Sequence, residues 1–122
     1  MATPSDPAIC SLYGLADPGT HEFSIGEGDW PLRGFVVRYR NEVRAYVNSC
    51  PHIGLPLNGK PHTFFAPHVE LLQCVAHGAL FEPHTGECVA GPCVGRRLRE
   101  LDIELIDGYI YLRSHPDALT SY

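Results

Sequence analysis

Apolar and polar positions alternate along this chain in short runs broken by turn residues, which is the pattern of strands rather than helices. Phe35, Val37 and Tyr39 share one face of a run whose other face carries Arg38 and Arg40. Val43–Asn48 resumes the alternation after Asn41-Glu42, so Phe35–Arg40 and Val43–Asn48 read as a half-buried hairpin. Leu101, Ile103 and Leu105 alternate with Glu100, Asp102 and Glu104, and Asp107-Gly108 then leads into Tyr109–Arg113. Asp-Gly between two such runs is a strong hairpin signal, because the favoured two-residue turn needs positive φ at both positions. Shorter strands are expected at Ile9–Tyr13, His21–Ile25 and Leu71–Cys74, and at Leu80–Glu82 and Glu87–Val89 on either side of His84-Thr85-Gly86. Gly26-Glu27-Gly28-Asp29 reads as a turn, and residues 1–7 and 115–122 read as loose tails. No repeat, low-complexity tract or amphipathic helix is visible. The expectation is a single all-β domain over 1–122, with a small subdomain at about 48–92 inserted between hairpins of a larger sheet.

Composition narrows the class. At 122 residues the chain is one domain of ordinary globular make-up, 44% apolar and 19% charged. Eleven prolines and twelve glycines agree with many turns and little helix. Fourteen acidic against nine basic residues give a net charge of −5, which disfavours a nucleic acid partner. No apolar stretch approaches membrane-spanning length and no secretion signal is visible, so a soluble, cytoplasmic protein is expected. Five cysteines in such a chain favour metal binding over a disulfide framework.

Two Cys/His pairs carry the chemistry. Cys50-Pro51-His52 is followed by Gly54 two places on, and Cys74-Val75-Ala76-His77 by Gly78 at once. Each pair sets a soft thiolate and a borderline imidazole on a tight loop. Two such loops clamped together can hold one iron of a two-iron, two-sulfide cluster through sulfur and the other through nitrogen. The same four side chains could instead hold one structural zinc ion, although zinc knuckles usually present Cys-x-x-Cys rather than a mixed pair in each loop.

The pattern resembles the Rieske iron–sulfur family. The likeness continues through Gly78-Ala79-Leu80-Phe81, His84-Thr85-Gly86-Glu87 and Gly91-Pro92, and spans roughly 33–113. It implies stacked antiparallel sheets, a [2Fe-2S] cluster on Cys50, His52, Cys74 and His77, and a proline loop at Gly91-Pro92 covering a third side. One departure is the 21 residues between His52 and Cys74, a surplus assigned to Leu57–Glu70. High-potential members carry an extra cysteine in each loop, joined as a disulfide, and a serine hydroxyl in the second loop. The corresponding positions here read Leu55, Ala76 and Ala79. With fewer donors to the cluster, a potential low in the Rieske range is implied.

The resemblance implies a one-electron carrier rather than an enzyme: a Rieske-type ferredoxin passing electrons from a flavin-dependent reductase to a terminal, aromatic-ring-hydroxylating oxygenase. Docking would be transient and near His52 and His77. A small Rieske subunit of a larger oxidoreductase, such as nitrite reductase, is the alternative. Cys88 and Cys93 read as two small buried thiols, with a redox-active disulfide left open, and Cys10 as an inert strand residue. His62, His68 and Glu70 caricature a two-His-one-carboxylate iron site but read better as a solvated loop. His21, His84 and His115 are expected at the surface. Arg96, Arg97 and Arg99 are read as a solvated run, with a docking patch as the rival reading.

Overall fold

A computed structural model describes residues 8–25, 32–51, 56–76 and 78–113. The tails, the expected turn at Gly26–Asp29, and His52, Gly54, Leu55, His77 and His115 lie outside those residues. In chain order the elements are β1 (Cys10–Ser11), a 3-10 turn (Leu12–Gly14), β2 (Gly19–Ile25), β3 (Leu32–Tyr39) and β4 (Glu42–Val47). They continue with β5 (Leu72–Gln73), β6 (Leu80–Phe81), β7 (Cys88–Ala90), β8 (Glu100–Leu101), β9 (Ile103–Ile106) and β10 (Tyr109–Leu112). There is no α-helix among the described residues.

Among the described residues three antiparallel sheets form, with strand orders β2-β3-β4-β8, β1-β10-β9 and β5-β6-β7. The first is the spine. Its central strand β3 buries Gly34, Phe35, Val36 and Val37 in succession, so both of its faces are covered. The expected half-buried hairpin is corrected on this point. Phe35, Val37 and Tyr39 face one apolar cluster that includes Phe64, Leu72, Phe81 and Leu98. Val36, Ala45 and Val47 face a second cluster, with Leu15, Leu101, Ile110 and Leu112. Alternate residues of one strand thus serve two cores.

The β3–β4 turn sits one residue earlier than the sequence suggests. Tyr39 pairs with Glu42, leaving Arg40 and Asn41 as the turn at φ 50° and 64°. A non-glycine residue rarely adopts that conformation. Here the Asp17 carboxylate accepts hydrogen bonds from the Arg40 and Asn41 amides at 2.9 and 2.8 Å, satisfying both main-chain donors. The β9–β10 turn falls at Asp107-Gly108 as expected, with φ 51° and 81° and Ile106 opposite Tyr109.

Two other expectations are revised. Ile9–Tyr13 is a strand only at Cys10–Ser11, after which the Ser11 side chain accepts from the Tyr13 amide and the chain tightens into a 3-10 turn. The alternating run 100–106 is divided at Asp102: β8 pairs with β4 in the spine, whereas β9 pairs with β10 in the second sheet. Leu105, on that sheet's edge strand, stays 55% exposed instead of joining a core.

Candidate metal-binding site

The spine delivers the first Cys/His loop and the small β5-β6-β7 sheet delivers the second. Cys50 follows the end of β4 and Cys74 follows the end of β5. Both are almost fully buried, at 1% and 0% exposure, and both belong to the apolar cluster that holds Phe35, Tyr46, Leu57, Ala79 and Phe81. The two sulfur donors predicted from sequence therefore share one dry wall. Their partners His52 and His77 lie outside the described residues.

Main-chain hydrogen bonds fasten the loops to each other. The Val75 amide donates to the Leu57 carbonyl at 2.9 Å, joining the second loop to the returning end of the first. Leu57 is itself held by Asn48, whose Oδ1 accepts its amide at 2.8 Å. The Asn48 Nδ2 donates to Asn58 Oδ1 at 2.9 Å, and Asn58 Nδ2 donates on to Glu22 Oε2 at 3.2 Å. Arg96 Nη1 donates to the Pro51 carbonyl at 3.0 Å, gripping the first loop beside its histidine. In the second loop the Cys74 amide donates to Ala79 O at 2.9 Å and the Gly78 amide to Cys74 O at 2.8 Å. Gly78 takes φ 72°, which lets the chain reverse directly after His77.

The Gly91-Pro92 segment covers the second loop closely. At φ 98°, a Cβ placed on Gly91 would lie 2.7 Å from Ala79 Cα, so only glycine allows that approach. Ala79 and Ala76 offer no hydroxyl. Cys93, 1% exposed, lies beside this segment. Its thiol donates to Cys88 Sγ at 3.0 Å, and the Cys88 thiol donates to Ala90 O at 3.2 Å. Burial first, then the Cys88 and Cys50 sulfurs facing it, push the Cys93 thiol up to about 12. Burial likewise raises the Tyr46 hydroxyl far above its usual range, and this hydroxyl donates to Pro83 O at 2.8 Å beneath the β6–β7 turn.

The insert 57–70 is anchored rather than free. His62 accepts the Glu22 amide at Nδ1, at 3.1 Å, and donates its own amide to Glu22 Oε1 at 2.9 Å. Its ring stacks on His21 with centroids 4.6 Å apart. Glu70 accepts from the Tyr39 hydroxyl at 3.0 Å. His62 and Glu70 are thereby committed to different strands, and no group of three metal-binding side chains forms among the described residues. The solvated-loop reading is thus corrected in part, as is the expectation that His21 and His84 sit at the surface: both are half-buried, and His84 Nε2 lies 2.8 Å from Tyr39 O. Arg97 remains exposed, with Glu87 at 3.7 Å.

Asn48, Asn58 and Glu22 are site-building residues that sequence reasoning missed, and Arg96, read there as part of a solvated run, is corrected to a residue that grips the first loop. Asn48 left one trace, a polar residue in phase with buried Tyr46 at the end of an alternating strand. The Asn58–Glu22 and Arg96–Pro51 bonds span 36 and 45 positions of sequence and left none.

A family model described as Rieske [2Fe-2S] domain matches residues 16–116. Among solved structures, the ferredoxin of carbazole 1,9a-dioxygenase from Nocardioides aromaticivorans IC177 is similar at TM-score 0.66 and 22% identity, covering 89% of this chain and 97% of that one. The Sphingomonas yanoikuyae B1 ferredoxin is similar at TM-score 0.64 and 19% identity, covering 91% and 100%. The terminal oxygenase of carbazole 1,9a-dioxygenase from Novosphingobium sp. KA1 reaches TM-score 0.69 at 17% identity, over 87% of this chain but 28% of that one. A search of curated protein sequences gives no match.

Two expected outcomes follow from the loop clasp and the insert anchor. Asn48→Ala strips the buried Leu57 amide of its acceptor, at a cost of about 1–3 kcal/mol. Denaturant unfolding should show that loss, and purified variant should hold less metal than wild type. His21 is lowered from its ordinary 6.5, by burial first and by neighbouring His62 second, against an opposing pull from Glu22. The folded state therefore binds this proton less readily than the unfolded chain, and stability falls as pH drops through 6.5. Thermal melts between about pH 7 and about pH 5 should show that decline, with a shallower one in His21→Gln.

Proposed function

Because the chain belongs to the Rieske [2Fe-2S] domain family, we propose that it is a one-electron carrier whose cluster is held by Cys50, His52, Cys74 and His77. The observation that carries the assignment is the burial of Cys50 and Cys74 in one apolar wall at the ends of two loops bonded to each other. That donor set fits the group: two thiolates inside, glycine at the close approaches, and a hydrogen bond between the loops. The family's cofactor makes a structural zinc module the weaker account. The proposed subdomain, about 48–92, is the unit that would carry the cluster.

When bound, such a cluster supplies one-electron redox chemistry, at potentials of about −150 to +300 mV where two imidazoles replace two thiolates. The chain's own residues set where in that range it falls. Cys50 and Cys74 are walled from water by Phe35, Leu57 and Phe81, which disfavours added negative charge. Ala76 and Ala79 withhold the hydroxyl that would offset it. Both effects place the potential low. The bonds from Asn48, Arg96 and Val75 hold the loops still, so little rearrangement accompanies a change of charge. His52 and His77 are the proposed ligands through which the electron enters and leaves.

The proposed carrier takes electrons from a flavoprotein reductase and passes them to a terminal oxygenase, binding each transiently near His52 and His77, and the ferredoxin likenesses support the oxygenase side of that path. An acidic net charge of −5 suits basic docking surfaces and would act mainly on encounter rate. No helix among the described residues is long and apolar enough to cross a membrane. A cytoplasmic setting belongs to the same proposal and is supported by five cysteines of which none is in a disulfide.

The test is a redox titration joined to a reconstituted assay with a flavoprotein reductase and a ring-hydroxylating oxygenase. The expected result is a midpoint below zero millivolts and turnover that stops when this protein is omitted. A midpoint well above zero, or turnover indifferent to its presence, overturns the carrier reading.

A further inference from the structure

Three buried cysteine sulfurs lie near one another beside the proposed site, and only one of them, Cys50, is needed as a ligand there. The other two are Cys88, on β7, and Cys93, in the turn that follows. Their Sγ atoms are 3.0 Å apart, and neither is in a disulfide. Closing them to a bond of about 2.05 Å requires the sulfurs to approach by roughly 1 Å.

The backbone on both sides already holds them at that separation. The Cys88 amide donates to Arg96 O, and the Arg96 amide to Cys93 O, each at 2.9 Å. Glycines at 91 and 95, with φ 98° and 97°, shape the turn between those bonds. The pair lies a single layer below the surface: Cys88 is 6% exposed, and its neighbours Val89 and Val94 are 52% and 63% exposed. A small neutral oxidant therefore has a short path to it. Cys10, on the opposite sheet, has no such partner and serves as an internal control.

We propose that Cys88 and Cys93 are a second redox site, a dithiol that a peroxide-class oxidant converts to an intramolecular disulfide. The electrons balance in two steps. The sulfur of Cys88, the more exposed of the two, attacks a peroxide oxygen, the O–O bond breaks, and its thiol proton leaves with the departing hydroxide as water, giving a sulfenic acid at Cys88. The second sulfur then attacks the first, the S–O bond breaks, and a second water leaves as the S–S bond forms. Two thiols have lost two electrons and two protons, and one peroxide has become two waters.

The experiment treats the iron-loaded protein with hydrogen peroxide, blocks remaining thiols, and maps linked peptides by mass spectrometry without reductant. The expected result is a linkage joining Cys88 to Cys93, a loss of two titratable thiols, unchanged iron content and reversal by dithiothreitol. Cys10→Ser should behave as wild type. Cys88→Ala and Cys93→Ala should each keep their iron and show no linkage. Recovery of both thiols unmodified under excess peroxide, or a linkage that appears only after iron is lost, overturns the proposal. A preparation that never held iron would instead count against the cluster assignment, so the two failures are separable.

Discussion

Leu57 is the joint on which the site depends. Its amide is held by Asn48 at the end of the spine, and its carbonyl accepts the amide of Val75 in the second loop. Two hydrogen bonds on one residue thus fix the distance between loops carried by different sheets. Leu57 itself is fully buried against Phe35, Phe64 and Leu72, so these bonds lie in a dry environment where a broken one is costly. A site with one sulfur from each loop needs such a joint, because neither loop alone brings Cys50 and Cys74 to the same wall.

The rest of the architecture supports that joint from two sides. β3 serves two cores with alternate residues, so the spine cannot tilt toward either without opening the other. The stack of Phe35 on Phe64, with ring centroids 4.0 Å apart, ties the spine to the insert that returns the chain to Leu57 and then to β5. Glu22 pins the same insert at His62 and Asn58. From the other side, Gly91 packs against Ala79 and Arg96 reaches Pro51, so the segment after β7 touches both loops. The segment 57–70 is thus held as a flap on β2 and β3.

Much of this was legible in the sequence, for identifiable reasons. Cys50, Cys74, Gly78 and Gly91-Pro92 are local signals whose meaning does not depend on distant partners. The Asp107-Gly108 hairpin is equally local. What the alternation missed was context. One face of β3 carries arginines, so the strand reads as half-buried, yet Val36 and Ala45 lie under the β1-β10-β9 sheet. The run 100–106 reads as continuous because its period never changes, yet its strands belong to two sheets. The turn at Arg40-Asn41 hides behind a non-glycine residue in left-handed conformation, stabilised by Asp17 from 23 positions away. The reach of Glu22 and Asn58 to Asn48 is invisible for the same reason: the first two read as ordinary surface residues until the fold brings them to it.

The central claim is that one metal pair is bound by sulfur on one side and by imidazole on the other. Pulsed electron paramagnetic resonance of the reduced protein, prepared with nitrogen-15 histidine, measures this directly. The account predicts couplings from two histidine nitrogens that change with the isotope and disappear when His52 and His77 are replaced. A spectrum with no histidine coupling, or a metal content of zinc in place of iron, would contradict it.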